Sequence, residues 1–312
     1  MSASFDRRTN DHPSTYFVQD RKNKKEFTRL ALQDEMITAA MGGILPEQPD
    51  PTALRRVLDV GCGTAGWLIE AARTYPIMSL VGIDISQRMI EYARAQAQAC
   101  HVDHRIEFHV MDALQTLDFP TASFDLVNLR LSSSFVRTWD WPKILTELLR
   151  VTCPSEVVRV TDCQFFQSNS PALTQLNEML VCALFRAGHQ FTQEMTGLTS
   201  RLAQMLEQYG CEQVQIKAYA IEYPAGTVEG EVFYEDMKLF FQTIRPFIQK
   251  WSCAARDYEV IYQQALGEMH QPDFHATWSF LTAWGRKPQQ KSRPTQQLSV
   301  QQSVPQPANG NF

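Results

Sequence analysis

One segment limits the possible folds of this chain more than any other. Residues 57–66 read VLDVGCGTAG, an apolar run followed at once by three closely spaced glycines. The apolar run predicts a buried strand, and the glycines predict a turn in which the backbone approaches a ligand closely. Residues 68–75 then continue with apolar side chains at helical spacing. A strand, a glycine-rich turn and a helix in this order are typical of a nucleotide-cofactor site.

Two acidic residues narrow the choice of cofactor. The spacing of Gly61, Gly63 and Gly66 also fits dinucleotide folds, whose loop binds a pyrophosphate at a helix N-terminus. Asp59 stands just before these glycines, where a carboxylate repels phosphate but attracts an ammonium group. Asp84 ends the next apolar run, and its two acceptor oxygens suit the two hydroxyls of a ribose. The residues favour a nucleoside cofactor with an ammonium group and no phosphate, such as S-adenosylmethionine (SAM).

These residues resemble the first two motifs of the class I SAM-dependent methyltransferases. In that family the first motif reads acid-x-Gly-x-Gly and the second strand ends in an acid, as at Asp59 and Asp84. The resemblance extends from residue 57 to 162 and, more weakly, from 274 to 287. It implies a Rossmann-like α/β fold with a seven-stranded, mostly parallel sheet and helices on both faces. The chain departs from the family at Ala65, where glycine is frequent, which predicts a slightly less open turn.

The resemblance also implies which residues bind SAM. Asp59 would face the methionine ammonium, Asp84 the ribose hydroxyls and Asp112 the adenine amino group. Asn128 and Leu129, at the end of the fourth strand, would offer backbone carbonyls to the same ammonium. The full set of predicted cofactor residues is Tyr16, Gln33, Asp59, Gly61, Cys62, Gly63, Asp84, Ile85, Met89, Met111, Asp112, Ala113, Asn128 and Leu129.

Two pairs in this set have less specific roles. Ile85 and Met89 would pack on the adenine face. Tyr16 and Gln33 lie on a predicted N-terminal helix, which closes over the cofactor in some small-molecule methyltransferases. A role as surface residues on a packing helix fits Tyr16 and Gln33 equally well.

No catalytic residue is assigned. The sulfonium group already activates the methyl group, so that positioning and exclusion of water supply most of the rate. A general base is needed only if the acceptor must first lose a proton. The candidates are His189, His270, His275, Glu222 and Tyr223, and the sequence favours none of them.

Composition shifts divide the chain into six predicted segments. Residues 1–14 and the Gln-, Ser- and Pro-rich tail 288–312 are predicted to be disordered. An N-terminal helical segment (15–50, with a helix over 15–41) precedes the SAM-binding core (51–222), a helical insertion (223–272) and the last strand (273–287). Within the core we expect strands at 57–60, 79–83, 106–111, 124–129, 157–161 and 214–221, and helices that include 171–185 and 193–209.

The predicted insertion is unusually long. Residues 228–266 carry eight aromatic side chains, and a connection of this length is improbable without its own structure. We expect one or two helices there, which form a lid or wall of an apolar acceptor pocket. The alternatives are that the aromatic residues are simply the core of these helices, or that the segment forms a dimer.

Charge and cysteine content bear on partners and location. The net charge of −5 provides no basic field for nucleic acid or anionic membranes, and no apolar run approaches the length of a membrane span. Family members that methylate nucleobase amino groups carry Asn/Asp-Pro-Pro-aromatic after the fourth strand, whereas residues 128–131 read NLRL. The seven cysteines include no Cys-x-x-Cys pair, and we interpret them as reduced thiols in a cytoplasmic protein.

The sequence therefore predicts a SAM-dependent methyltransferase that acts on a small organic acceptor, with secondary metabolism as the favoured setting. No metal site is predicted, and a homodimer is the candidate assembly. The alternatives are a different transferase of the same fold, such as an aminopropyltransferase, a nicotinamide-dependent oxidoreductase, or a SAM-binding protein without catalytic activity.

Overall fold

The structure, a computed structural model, describes Tyr16 and residues 24–289. The predicted disorder of residues 1–14, and of nearly all of 288–312, lies outside this part of the chain. The helix predicted over residues 15–41 is present as α1 (Lys24–Ala40), but its predicted start is wrong, since Tyr16 lies outside any helix. It is followed by Gly42 and Gly43, whose φ angles of 89° and 113° lie in the left-handed region that favours glycine.

A single mixed sheet forms the centre of the molecule. Its strands are β1 (Arg56–Val60), β2 (Ser79–Asp84), β3 (Ile106–Val110), β4 (Phe124–Arg130), β5 (Thr152–Cys163), β6 (Gln167–Ser168), β7 (Glu212–Pro224) and β8 (His275–Arg286). The order is β3-β2-β1-β4-β5-β8-β6, with β7 also paired to β8. The first five strands are parallel, and β8 is antiparallel to β5. The predicted Rossmann-like sheet is confirmed, with the two-residue β6 in addition.

Helices cover the sheet. They are α2 (Gly66–Thr74), α3 (Gln87–Ala99), α4 (Trp141–Val151), α5 (Pro171–Arg186), α6 (Leu202–Gln208), α7 (Val228–Lys250) and α8 (Tyr258–Met269). Ser86 caps the N-terminus of α3, since its hydroxyl accepts a hydrogen bond from the Met89 backbone amide at 3.4 Å. No helix in the described residues is long and apolar enough to cross a membrane.

The helix predicted over residues 193–209 is wrong in its first half. Residues 193–198 form turns and a short 3₁₀ turn covers Thr199–Arg201, so that α6 begins only at Leu202. Gly197 donates to the Glu194 carbonyl at 3.0 Å within a tight turn. A side chain on Gly197 would collide with the carbonyl of Thr192. Glycine and the β-branched threonines in this stretch also lower its helix propensity.

The insertion consists of two helices, α7 and α8, as expected. They pack with α5 around their own aromatic core, in which the rings of Phe233 and Tyr223 stack at 4.6 Å. Six of the eight aromatic side chains in residues 228–266 are buried. Most of them therefore stabilise the insertion itself, which was the alternative explanation.

The cysteines differ from the prediction at one pair. Cys182 of α5 and Cys253, which follows α7, form a disulfide, so the prediction of reduced thiols is wrong for these two. The sequence does not reveal the pair, because 71 residues separate the cysteines and the fold alone brings their Cα atoms to 6.0 Å. The other five cysteines are free.

Candidate functional site

A cavity of about 230 Å³ lies at the carboxyl ends of the parallel strands. The strand order reverses at β1, with β2 on one side and β4 on the other, and such a switch point leaves a crevice for a ligand. We define its loop wall as residues 59, 61–64, 84–86, 89 and 111–114. We define its helix wall as Leu131, Cys163, Gln164, Phe165, Phe166, Asn177, Leu180, Leu184, Met237, Phe240 and Trp278. Helix α1 also lines this cavity, through residues that include Gln33 and Asp34.

Twelve of the fourteen residues predicted to bind the cofactor line this cavity. They are Tyr16, Gln33, Asp59, Gly61, Cys62, Gly63, Asp84, Ile85, Met89, Met111, Asp112 and Ala113. Asn128 and Leu129 are buried within β4 and do not line it, although the next two residues, Arg130 and Leu131, do. The contacts of all fourteen with a cofactor stay predictions.

The glycine loop is held against the end of β2. The backbone amides of Gly61 and Cys62 donate to the Ile83 carbonyl at 2.8 and 2.9 Å. Gly61 and Gly63 have φ angles of 73° and 51°, which explains why glycine is needed. A Cβ on Gly61 would press on the Phe135 ring at 3.1 Å, whereas one on Gly63 would meet no atom within 4 Å. The loop therefore leaves open space beside Gly63.

Ala65, where the chain departs from the family, lies in the same turn as the glycines. Ala65 has a φ of 63° and a ψ of 23° at the N-terminus of α2. This left-handed conformation costs an alanine more than a glycine. The chain thus adopts the turn that glycine would favour, with a residue that fits it less well.

Two carboxylates of the loop wall are fixed by backbone amides. Asp84 accepts hydrogen bonds from Gly63 at 3.1 Å and from Ser86 at 2.8 Å. Asp112 accepts from the Leu114 amide at 2.9 Å, so it caps a turn while it also lines the cavity. Its position as a turn cap is therefore compatible with the predicted contact to the adenine amino group.

Asp59 is the most buried acid of the loop wall, at 4% exposure. Its Oδ1 atom accepts a hydrogen bond from the Asn128 side chain at 2.9 Å. Burial raises the pKa of Asp59 to about 7, against the opposing effect of the Arg130 guanidinium. A cation that entered the cavity would lower this pKa and keep the carboxylate charged.

Helix α1 is anchored to the loop by residues that the sequence analysis missed. Arg130, at the end of β4, forms an ion pair with Asp34 at 2.8 Å and donates to Thr38 at 3.3 Å. A Cβ on Gly66 would overlap the Asp34 carboxylate, so α1 lies directly on the start of α2. The i, i+4 spacing of Asp34 and Thr38 is the sequence signal that could have indicated this contact.

A buried charged cluster joins α1 to α7 at the cavity. Arg29 binds Glu26 with two hydrogen bonds of 2.9 Å and reaches Asp236 at 3.3 Å. Tyr16 donates to Glu26 at 2.7 Å, and Gln33 donates to Asp236 at 3.2 Å. Burial raises the pKa of Asp236 to about 6, although Arg29 opposes the shift. Sequence analysis missed the cluster because 207 residues separate Arg29 from Asp236.

None of the five candidate general bases lines the cavity. His189 is buried beside a backbone carbonyl, and burial lowers its pKa to about 4. Tyr223 is buried in the aromatic core of the insertion, and His270, His275 and Glu222 are exposed elsewhere on the surface. In the described part of the chain, no group of three or more metal-ligating side chains is arranged to hold an ion.

The helix wall is apolar apart from two residues with amide side chains, Gln164 and Asn177. Asn177 is 2% exposed, and its Nδ2 atom donates to the Phe166 carbonyl at 3.1 Å. Its Oδ1 atom has no hydrogen-bond partner among the described residues. Because a flipped amide would turn its oxygen toward the Phe166 carbonyl, the orientation of this side chain is fixed. A buried acceptor oxygen of this kind costs free energy until a donor reaches it.

The loop wall fits SAM by its own chemistry. The open space beside Gly63 admits a ligand next to the backbone, while Asp59 and Asp84 supply carboxylates for an ammonium and a ribose. A polyphosphate would meet acids at three successive strand ends and two arginines on the described cavity surface, Arg29 and Arg130, which are already paired with carboxylates.

Comparison with known proteins agrees with this chemistry. Residues 57–155 match the sequence profile of a family described as methyltransferase domain. The 27-O-demethylrifamycin SV methyltransferase of Amycolatopsis mediterranei is 27% identical over 252 residues, which cover 81% of this chain and 78% of that protein. The demethylmenaquinone methyltransferase of Listeria monocytogenes is 30% identical over 174 residues, or 51% of this chain and 70% of that protein.

A solved structure shows the same fold. Phosphoethanolamine N-methyltransferase 2 of Haemonchus contortus, in complex with SAM, aligns with a TM-score of 0.51 and 19% identity. The alignment covers 88% of this chain and 59% of that one. Together with the motif loop and its acids, these similarities establish SAM as the cofactor, and the chain belongs to the class I SAM-dependent methyltransferases.

Proposed function

We propose that this methyltransferase acts on a small, largely apolar organic molecule that presents one hydrogen-bond donor to Asn177. The observation that carries the proposal is the helix wall, which is mostly apolar and includes Asn177, whose buried Oδ1 has no hydrogen-bond partner among the described residues. Apolar surface binds an apolar acceptor, and the single buried oxygen selects a hydroxyl or N–H group on it. The rifamycin-modifying relative supports an acceptor of the secondary-metabolite type.

Each part of the loop wall has a separate task in holding the cofactor. Asp59 binds the ammonium, Asp84 the ribose hydroxyls and Asp112 the adenine amino group, while Ile85 and Met89 pack on the ring. Charge-assisted hydrogen bonds of this kind contribute about 1.5–3 kcal/mol each. The bound cofactor supplies an electrophilic methyl group on its sulfonium. The remaining task of the protein is to position the acceptor and to exclude water.

The charges around the cavity favour an acceptor without negative charge. Arg29 is neutralised by Glu26 and Asp236, and Arg130 by Asp34. No unpaired cation on the described cavity surface is therefore available to a phosphate or to a nucleic acid backbone. This pairing supports the expectation that nucleic acid is not a substrate.

The helix wall also limits the chemistry of the methylated atom. The described residues place no histidine on the cavity, and burial raises the pKa of the Cys163 thiol, which keeps it protonated. We therefore propose an acceptor that reacts without a strong base, such as an amine or an acidic hydroxyl or carbon.

The experiment is a screen of matched acceptor pairs. Each pair has the same apolar skeleton with and without one hydroxyl or amine, and release of S-adenosylhomocysteine is measured by mass spectrometry. For donor-bearing acceptors, Asn177→Leu should lower kcat/KM at least ~10-fold, with unchanged SAM affinity. Gln175→Leu, on the exposed face of α5, is the matched control. Equal kcat/KM in wild type and Asn177→Leu would remove Asn177 from acceptor recognition.

We further propose a homodimer formed through β7. Its outer edge has no strand partner in the described chain, and Ile216 on this strand is 57% exposed. An open edge of this kind can pair with a second copy. Light scattering should then report a dimer that Ile216→Lys dissociates, and a monomeric wild type would refute the proposal.

For location we propose the cytoplasm. Five free cysteines support it, whereas the Cys182–Cys253 disulfide is more typical of oxidising compartments. Thiol labelling of the protein in intact cells tests this proposal. Reduced Cys182 and Cys253 would support the cytoplasm, and an intact disulfide would indicate an oxidising compartment.

A further inference from the structure

A chain of buried side chains runs from the loop wall across the sheet. Asn128 donates to Asp59 at 2.9 Å, and Arg159 donates to Asn128 at 2.8 Å. Arg159 in turn binds Glu47 at 2.6 Å. Asp59, Asn128 and Arg159 are opposite one another on the adjacent strands β1, β4 and β5. We call Asp59, Asn128, Arg159 and Glu47 the relay.

The direction of every hydrogen bond in the relay is fixed. A guanidinium only donates, so the oxygen of Asn128 must face Arg159. The Asn128 amide nitrogen is then turned toward Asp59 and donates to its Oδ1 atom. Asp59 lines the cavity, so Oδ2 is the oxygen that remains for a ligand. Arg159 thus determines the orientation of a carboxylate that it does not touch.

We propose that Arg159 and Asn128 are positioning residues for the cofactor, which align the Asp59 carboxylate with the ammonium group of SAM. The inference rests on the proposed role of Asp59 as the ammonium ligand. Neither residue lines the cavity, so both act only through Asp59. The relay has at its far end Glu47, which neutralises the Arg159 charge inside the protein.

Charged groups inside and outside the relay act on Asp59. Arg130 from β4 and Arg159 from β5 favour its ionised form, while Asp34 from α1 disfavours it. The neighbouring Cys62 thiol and Asp84 lie on the same wall. Burial outweighs the two arginines and raises the pKa of Asp59 to about 7. Removal of Arg159 or of the Asn128 donor should raise the pKa of Asp59 further. Asp59 is then protonated over a wider pH range, and SAM binds weakly over that range.

The variants must not leave a buried charge unpaired. Arg159→Met is therefore combined with Glu47→Gln, because either change alone would strand the other charge. Asn128→Leu removes the middle of the relay without a change in charge. The matched control is Arg150→Met with Glu147→Gln, an ion pair of 2.6 Å that does not line this cavity.

Two ligands separate the ammonium site from the rest of the cavity. We use SAM and 5′-methylthioadenosine, which has the nucleoside but no ammonium, and measure both dissociation constants by calorimetry from pH 5.5 to 8. At pH 7, each relay variant should bind SAM about fivefold more weakly, because a rise of about one pKa unit from about 7 lowers the ionised fraction of Asp59 from about one half to about one tenth. It should bind methylthioadenosine within about twofold of wild type. The control pair should change neither constant.

A measurement without ligand completes the test. In protein labelled with ¹³C-aspartate, the Asp59 carboxyl, assigned through Asp59→Asn, should titrate at higher pH in both relay variants than in wild type. An unchanged titration midpoint of Asp59, or an equal loss of affinity for SAM and methylthioadenosine, would overturn the proposal. If Asp59→Asn itself binds SAM like wild type, the ammonium role of Asp59 fails, whereas the methyltransferase assignment and its acceptor screen stand.

Discussion

The two walls of the cavity are built in different ways. The loop wall comes from three short segments between residues 59 and 114, each at the end of a parallel strand. The helix wall gathers side chains from residue 131 to residue 278, on β5, α5, α7, β8 and the loops beside them. A site made at strand ends is encoded locally, whereas a site made by packed helices depends on the whole fold. We therefore expect substitutions in the two walls to have separable effects.

The largest effect on the loop wall should come from Gly63→Val. The left-handed backbone costs a residue with a Cβ about 1–2 kcal/mol, and the side chain would fill the open space beside the loop. SAM affinity measured by calorimetry should fall more than about 100-fold, while circular dichroism stays close to that of wild type. Retained affinity would show that the loop does not approach the cofactor.

The largest effect on the α1–α7 contact should come from Arg29→Met. This change leaves Glu26 and Asp236 buried without their cation, which should lower the free energy of unfolding by about 3–5 kcal/mol. The exposed pair Arg245–Glu259 is the control, and Arg245→Met should cost less than about 1 kcal/mol. Urea titration measures both.

The same variant has a predictable pH dependence. The pKa of Asp236 is already raised to about 6 in the folded protein, and loss of Arg29 raises it further. A carboxyl with a higher pKa in the folded state than in the unfolded state stabilises less as pH rises. Arg29→Met should therefore regain part of its stability between pH 8 and pH 5. Equal losses at both pH values would contradict a buried charge as the cause.

A smaller effect should follow from loss of the disulfide on the helix-wall side. The double variant Cys182→Ala, Cys253→Ala removes a disulfide that joins residues 71 positions apart. This should lower the free energy of unfolding by about 2–4 kcal/mol. SAM affinity should not change, because neither cysteine lines the cavity. Cys100→Ala, at a free cysteine, serves as the control. A stability equal to wild type under oxidising conditions would argue against the disulfide.

The smallest effect should come from Ala65→Gly. Glycine relieves the left-handed backbone at a φ of 63° but adds freedom to the unfolded chain. The net gain in unfolding free energy should be less than about 1 kcal/mol. A loss of stability in the urea titration would mean that the methyl group of Ala65, which is buried, contributes more by packing than the backbone costs.

The difference between the walls also explains how much the sequence could predict. Gly61, Gly63 and Asp84 were identifiable because strand, turn and acid follow one another in the chain. The sequence could not identify Asn177 or the contact between Arg29 and Asp236, because only the packing of α1, α5 and α7 brings these residues into position. The disulfide and the relay belong to the same class, because each depends on tertiary contacts between distant segments.

SAM affinity in two single variants tests the separation of the walls most directly. Asp84→Ala removes a carboxylate of the loop wall, and Leu180→Ala removes a side chain of the helix wall. With both proteins shown to be folded by circular dichroism, calorimetry should find that Asp84→Ala weakens SAM by about 1.5–3 kcal/mol, roughly tenfold or more. Leu180→Ala should bind SAM within about twofold of wild type. Wild-type affinity in Asp84→Ala, or equal losses in both variants, would contradict the account.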